Sequence, residues 1–202
     1  NEDMEDFLGL ITGKHSRVKP VILKQNGIKQ RYYALTKEQK ITHTNAEMAV
    51  NSILQLLKNS DISNSEIELL SCATSSPDQM LPSHASMVHG LLKNKPLEIF
   101  SASGICLSCL QAFKTAFWGV LSGEKRNAIC STSELTSATL LSKNYDIEYE
   151  KCADLGVQPY MALEKDFLRF MLSDGASAVL LQDNPGNGKA LHVEWVEMRS
   201  EE

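Results

Sequence analysis

Short apolar segments alternate with longer helix-patterned segments, and this alternation limits the fold more than any other feature of the chain. The helical spacing of apolar residues is clearest in residues 45–59, with Thr44 as a plausible N-cap, in residues 82–92, and in a stretch that ends near Leu121. Strand-like runs lie at residues 67–74, 97–101, 127–133, 171–182 and 191–196. Strands that alternate with helices form a mostly parallel sheet covered on both faces, so the sequence predicts an α/β fold.

The helix that ends near Leu121 is apolar on almost every side. Leu107, Leu110, Phe113, Phe117 and Val120 leave little room for a polar stripe. A helix with this pattern is typical of the interior of a large fold, so we expect it to be buried.

Composition excludes several classes of protein. The chain has 202 residues, of which 43% are hydrophobic, and such an apolar fraction can support a core. Five cysteines are too few for a disulfide scaffold, and a net charge of -5 argues against a nucleic-acid partner. No apolar run reaches the roughly 18 residues that a membrane span needs, and the acidic N-terminal residues lack the basic-then-apolar pattern of a signal peptide. A reducing cytoplasm is the simplest location.

Cys106 is the strongest candidate for chemistry. It follows a predicted strand and opens the helix that ends near Leu121, with small residues around it. The positive end of the helix favours a thiolate there, and N–H groups of the first turn can stabilise an oxyanion. These features indicate an acyl-transfer nucleophile. The alternative is a small buried hydrophobic residue, which is the usual role of a free cysteine.

The other four cysteines are weaker candidates. Cys109 could form a redox pair with Cys106, although the flanking residues and the apolar helix do not favour one. Cys72 and Cys130 lie in predicted strands and Cys152 in a polar segment. Their spacings do not match those of a zinc site.

Three segments resemble the ketoacyl synthase III branch of the thiolase superfamily. Residues 73–83 are similar to the family's strand and loop, in which an aromatic or apolar residue comes before Pro-Ser. Residues 103–106 are similar to the family's nucleophile turn. Residues 173–179 are similar to the Gly-Asp-Gly-Ala-Gly-Ala-Val segment of that branch. Weaker similarity is found at residues 1–4, 26–31 and 131–134.

The resemblance implies one half of a duplicated, layered αβαβα architecture with a mostly parallel or mixed sheet. On this reading residues 1–202 are an N-terminal thiolase-like domain, with a first strand before them and a C-terminal half after them. Cys106 is then the nucleophile that accepts an acyl group from a thioester. The acyl-cysteine next condenses with a carrier-bound malonyl- or acyl-type substrate, as in fatty-acid or polyketide biosynthesis. The family's catalytic histidine and asparagine belong to the second half.

The resemblance also implies the partners. An acyl carrier protein with its acyl-phosphopantetheine, or acyl-CoA, supplies the substrate, and no tightly bound cofactor is expected. Family members are homodimers that pair strands near Phe100–Ser103, and some relatives form heterodimers with a related ketosynthase. We therefore expect a dimer, with no nucleic acid or membrane partner. Cys106 is expected to be buried at the base of a tunnel.

Departures from the family pattern bear on the substrate. Val21 and Gln25 occupy the positions of a tryptophan and an arginine that bind coenzyme A, which favours loading from a carrier protein. Leu81 stands where a phenylalanine often crosses the dimer interface into the partner's acyl pocket. Cys109 also replaces a residue that is often aromatic. These smaller side chains suggest an acyl chain longer than acetyl.

Two other readings remain open. One is a non-catalytic ketosynthase-like partner subunit of a heterodimer, and the other is an α/β binding domain whose cysteine belongs to the core. The histidines 15, 43, 84, 89 and 192 match no catalytic position and are interpreted as surface or core residues. Asp174 and Gly175 are interpreted as a structural turn.

Overall fold

A computed structural model describes residues 1–146, 166–184, 186 and 188–199. Contacts divide the described residues into two compact units. The smaller unit takes its residues from Asn1–His43 and Leu135–Gly175, and the larger unit from Thr44–Glu134 and Ala176–Glu202. Cys152 lies outside the described residues.

The secondary structure elements follow the predicted alternation. The helices are α1 (Met4–Leu8), α2 (Lys19–Asn26), α3 (Asn45–Lys58), α4 (His84–Leu92) and α5 (Leu107–Leu121), and residues 166–171 are also helical. The strands are β1 (Leu69–Thr74), β2 (Glu98–Ser103), β3 (Asn127–Glu134) and β4 (Gly175–Gln182). Short 3-10 turns lie at Asn64–Glu66 and Ser142–Asn144.

The larger unit is built on one sheet with the strand order β2-β1-β3-β4. β1 is central and parallel to both β2 and β3. Gln182 contacts Asn127 and Ser177 contacts Thr132, so β4 runs antiparallel to β3. The sheet is therefore mixed but mostly parallel, as predicted.

Helices cover both faces of this sheet. On one face, α3 and α4 pack against alternate strand residues such as Leu70, Cys72 and Ile129. On the other face, α5 packs its alanines against the intervening residues, among them Ala73 and Cys130. Because successive strand residues point to opposite faces, full burial of β1 requires this two-sided cover.

Local sequence explains where the helices start and stop. Thr44 caps α3 through the Glu47 N–H, and the Glu47 carboxylate accepts the Thr44 N–H, which together make a capping box. The Ser83 hydroxyl caps α4 by accepting the Ser86 N–H. Gly27 ends α2 with a left-handed φ of 67°, so the Asn26-Gly27 turn signal marks a helix end.

The expected burial of α5 is wrong for most of its surface. Only Ser108, Ala112 and Ala116 are buried, and they form one stripe against the sheet. Several large apolar side chains elsewhere on the helix are exposed in the described part of the chain: Leu107, Leu110, Trp118 and Leu121. The reason is that α5 contacts the sheet on one side and has no second layer among the described residues.

The strand predicted at residues 191–196 is also wrong, because residues 188–199 form neither helix nor strand where they are described. Leu191 is 96% exposed and Trp195 71% exposed. A segment with alternating apolar residues forms a strand only when a neighbouring strand pairs with its backbone N–H and C=O groups. No strand of the described sheet pairs with this segment.

Buried polar residues hold the smaller unit together. The Asp174 carboxylate accepts hydrogen bonds from the Ala34 and Ser137 N–H groups at 2.7 and 2.8 Å. Arg169, which is 1% exposed, donates to the carbonyl oxygens of Leu140 and Gly9. These contacts join distant chain segments, and they support the interpretation of Asp174 as a structural residue.

Candidate functional site

The candidate site is built at the carboxyl edge of the parallel strands. Thr74 at the end of β1 is in register with Ser103 at the end of β2, and Ala73 is in register with Thr132 of β3. The segments that follow these strands therefore leave the sheet at the same edge, where open α/β sheets place their ligand sites.

A tight turn after β2 carries Cys106 at that edge. Gly104 has a φ of 155°, a value that residues with a side chain rarely adopt, which explains the glycine. Cys106 is the N-cap residue of α5. The Ser108 hydroxyl donates to the carbonyl oxygens of Gly104 and Ile105, at 2.8 and 2.9 Å. The turn is thus fixed from inside the helix by a buried serine.

Cys106 is exposed, so the expectation of a cysteine at the base of a tunnel is wrong for this chain. Its neighbour Ile105 is 80% exposed, and Leu107 is 45% exposed. The described residues supply the floor of a site, formed by the helix N-terminus and the sheet edge. They supply no wall around the thiol.

The loop after β1 is anchored at Ser75 and Asp78, and Leu81 follows the second anchor by three residues. Near its start, the Glu134 carboxylate accepts the Ser75 N–H and the Ser75 hydroxyl, at 2.6 and 2.8 Å. Further along, the Asp78 carboxylate accepts the Asn45 and Ala46 N–H groups at the start of α3, at 2.7 and 2.9 Å. Both anchors are charge-assisted and hold the loop firmly in place.

Leu81 itself is 84% exposed, and Met80 beside it is 90% exposed. The Leu81–Pro82 peptide bond is cis. The anchored loop therefore presents two apolar side chains to the surroundings. This exposure is compatible with a role of Leu81 in a pocket or an interface, which stays a prediction.

His84 is a buried histidine behind the same edge. It is 3% exposed, and its Nε2 lies 3.1 Å from the Ser133 hydroxyl. Burial lowers the pKa of His84, although Asp78 and Glu134 act in the opposite direction. Its Nδ1 is buried and has no hydrogen-bond partner among the described residues. His84 is therefore a core residue whose hydrogen bonding is incomplete.

The remaining histidines and cysteines fall where the sequence suggests, with one exception. His15, His43 and His192 are exposed, and His89 bonds the carbonyl oxygen of Lys95. Cys72 and Cys130 are buried in the sheet, and burial raises the pKa of Cys130 to about 12. The exception is Cys109, which is exposed rather than facing a closed core.

Other kinds of site find little support in the described residues. They contain no group of three or more His, Cys, Asp or Glu side chains arranged to hold a metal ion. None of the described helices is long and apolar enough to cross a membrane. An open cavity of about 590 Å³ in the smaller unit is lined by residues such as Asp3, Gly27 and Lys29, and no candidate residue lines it.

The chain is similar in sequence to curated proteins named β-ketoacyl-[acyl-carrier-protein] synthase III. A β-ketoacyl-[acyl-carrier-protein] synthase III from Limosilactobacillus reuteri is 32% identical over 161 residues, which covers 80% of this chain and 41% of the relative. The enzyme of the same name from Rhodobacter capsulatus is 26% identical over 178 residues, or 88% of this chain and 47% of the relative. Over the residues that match, the chain is similar to β-ketoacyl-[acyl-carrier-protein] synthase III proteins. No protein-family model matches it.

Solved structures show that this ketoacyl synthase relative has a thiolase-like fold. The tetronic acid condensing enzyme AbyA1 matches with a TM-score of 0.69 and 19% identity, covering 94% of this chain and 51% of that one. Xanthomonas campestris OleA with cerulenin matches with a TM-score of 0.65 and 20% identity, covering 89% and 49%. The chain thus spans about half the length of the proteins it matches.

Sequence reasoning did not identify the residues that support the site. Ser108 had a local signal, because a serine in the first helical turn can bond the carbonyl oxygens three and four residues earlier. Asp78 and Glu134 gave no local signal, since their partners lie 32 to 33 and 58 to 60 residues away along the chain.

Proposed function

We propose that the chain supplies the nucleophile of an acyl-transferring, condensing enzyme, with Cys106 as the residue that carries the acyl group. The observation that carries this proposal is the exposed thiol at the N-cap of α5, held by the turn between Gly104 and Ser108 at the carboxyl edge of the sheet. The names of the related proteins, which describe condensing enzymes, add support.

The reaction would begin with attack of the Cys106 thiolate on a thioester carbonyl. The tetrahedral oxyanion forms next to N–H groups of the first helical turn, which lack partners within the helix. Its collapse expels the carrier thiolate, which takes up the proton that Cys106 released. A carbanion from a second, carrier-bound substrate then attacks the acyl-cysteine and returns the Cys106 thiolate. No residue of this chain is assigned to carbonyl polarisation.

The proposed acyl donor is acyl-phosphopantetheine on an acyl carrier protein, with acyl-CoA as the alternative. The curated relatives carry the acyl carrier protein in their names. Val21 is 56% exposed on α2 and Gln25 lies on the same helix, at the two positions where the family resemblance places coenzyme A ligands. Neither side chain offers an aromatic face or a positive charge to a nucleotide.

We also propose a homodimer formed through β2. β2 is an edge strand that pairs only with β1 in the described sheet, and Ile99 and Phe100 are each 38% exposed. An unpaired, partly apolar edge is a template for a further strand. The substitution Ile99→Lys should lower the dimer fraction in sedimentation velocity, whereas Gln55→Lys, at an exposed position of α3, should not. If the Ile99→Lys variant remains fully dimeric, the dimer forms elsewhere.

Acylation is tested with acetyl, hexanoyl and decanoyl thioesters of N-acetylcysteamine, followed by mass spectrometry of the intact chain. We expect an acyl adduct that maps to Cys106, disappears in Cys106→Ala and persists in Cys109→Ala. An adduct that survives in Cys106→Ala would disprove the assignment. A chain that never acylates would instead favour the non-catalytic partner subunit or the binding domain.

The same panel tests the acyl pocket. Leu81→Phe should reduce decanoyl adducts more than acetyl adducts if Leu81 leaves room for a long chain. Met80→Phe serves as the control, because Met80 is the neighbouring exposed side chain on the same loop. Equal adduct profiles for Leu81→Phe and the unchanged chain would remove Leu81 from the pocket.

A further inference from the structure

Two thiols lie across the first turn of α5. Cys106 is the N-cap residue and Cys109 is the third residue of the helix, and both are exposed, whereas Cys72 and Cys130 are buried. Cysteines with this spacing at a helix N-terminus interconvert between dithiol and disulfide in redox proteins. The sequence did not favour this chemistry because of the flanking Leu107 and Ser108 and the apolar helix. The exposure of Cys109 removes the objection that rests on a buried helix.

The position of Cys109 on the helix places it near the site. Ser108, which directly precedes Cys109, is buried with Ala112 and Ala116 in the stripe against the sheet, so Cys109 lies beside that stripe. Cys109 is exposed and belongs to the first turn of α5, at the carboxyl edge that also carries Cys106. Besides burial, the proximity of the Cys109 thiol raises the pKa of Cys130, which agrees with this placement.

Closing the pair requires only a local change. Side chains three residues apart on a helix have Cβ atoms about 5–6 Å apart, and a disulfide needs about 3.5–4.5 Å. This difference has to be made up within the turn from Gly104 to Ser108, where Ser108 bonds the carbonyl oxygens of Gly104 and Ile105. Cys106 is the N-cap residue of α5 with helical angles, φ -51° and ψ -31°, so the spacing of a helical pair applies to it.

We propose that Cys106 and Cys109 form a reversible disulfide that switches off the proposed acyl transfer. The oxidant is a low-molecular-weight disulfide of the glutathione type. The Cys106 thiolate attacks that disulfide, forms a mixed disulfide and releases one glutathione thiolate. The Cys109 thiolate then attacks the Cys106 sulfur and releases the second. The two thiol protons pass to the two released thiolates, so two cysteines and one oxidised glutathione give one disulfide and two glutathiones.

The consequence for activity rests on the proposed function. A Cys106 sulfur held in a disulfide cannot attack a thioester, and a reductant restores it. The switch is specific to this chain because it depends on Cys109, at a position where the family resemblance suggests an aromatic residue.

The test exposes the reduced, full chain to oxidised glutathione, alkylates the remaining thiols with N-ethylmaleimide and maps the products by mass spectrometry. We expect the loss of two hydrogens and a Cys106–Cys109 link, with no lasting glutathione adduct. Cys109→Ser should instead trap glutathione on Cys106. Cys130→Ala, which removes a nearby buried thiol, should behave like the unchanged chain. Circular dichroism checks that each variant is folded.

Two outcomes would overturn the proposal. One is a stable Cys106–glutathione adduct in the unchanged chain, equal to that in Cys109→Ser. The other is a link between Cys109 and Cys130.

Acylation measured on the same samples separates this inference from the proposed function. In the unchanged chain, the acyl adduct should fall in proportion to the oxidised fraction and return with dithiothreitol, while Cys109→Ser should still acylate when reduced. Disulfide formation without any acylation would refute the proposed function and leave the redox pair standing. Acylation without a disulfide would do the reverse.

Discussion

Replacing Asp174 with Ala tests whether one carboxylate holds the smaller unit together. Asp174 is 7% exposed and accepts the Ala34 and Ser137 N–H groups, as well as the Ser137 hydroxyl at 2.5 Å. Ala34 and Ser137 are also buried, so truncation leaves two buried N–H groups without an acceptor. At about 1–3 kcal/mol for each unsatisfied donor, we expect a loss of about 2–6 kcal/mol in the free energy of unfolding.

The measurement is urea unfolding combined with amide hydrogen exchange. With a denaturant slope of about 1–3 kcal/mol per molar, the transition midpoint should fall by about 0.7 M or more. Exchange should accelerate most in peptides that contain Ala34 and Ser137. The matched control is Asp183→Ala, because Asp183 is exposed and its change should stay within about 0.5 kcal/mol. Equal midpoints for the two variants would refute the reasoning.

Three further predictions concern other buried residues. Arg169→Met should lower the free energy of unfolding in urea by about 3 kcal/mol or more, because it leaves the carbonyl oxygens that Arg169 binds without a donor. Burial lowers the pKa of His84 in the folded chain, so just below pH 6.5 only the unfolded chain binds the proton. The free energy of unfolding should therefore fall as the pH drops through 6.5, and it should level off below the folded-state pKa. His84→Gln should flatten that slope, and an unchanged slope would contradict the assignment. Ala112→Leu should cost about 1–3 kcal/mol by overpacking against the sheet, whereas the exposed Gln111→Leu should not.

The helices and strands of residues 44–134 were predicted well because their signals are local. The residues of α3 combine helical periodicity with a complete capping box, and the strand runs are continuous and apolar. By contrast, α2 was not predicted, since Ile22 is its only buried residue and the helix has almost no apolar face. The segment at 191–196 was predicted as a strand because alternation alone does not reveal whether a partner strand exists.

The candidate site was also predicted only where the signals are local. Cys106 and its helix could be located from the order of strand, glycine turn and helix. Its exposure could not, because burial depends on what surrounds the helix rather than on the helix itself. The anchoring roles of Asp78 and Glu134 could not be predicted either, because each carboxylate joins segments that are distant in the chain.

The central place of β1 has a consequence for the way the chain is made. Both neighbours of β1 come later in the sequence, and the last of them ends at Glu134, 60 residues after Thr74. At a synthesis rate of about 5–20 residues per second, the strand waits about 3–12 seconds for its partners. During that time α3 can shield one face, but the other face has no helix until α5 emerges. We therefore expect the nascent chain to engage chaperones at Leu69–Thr74.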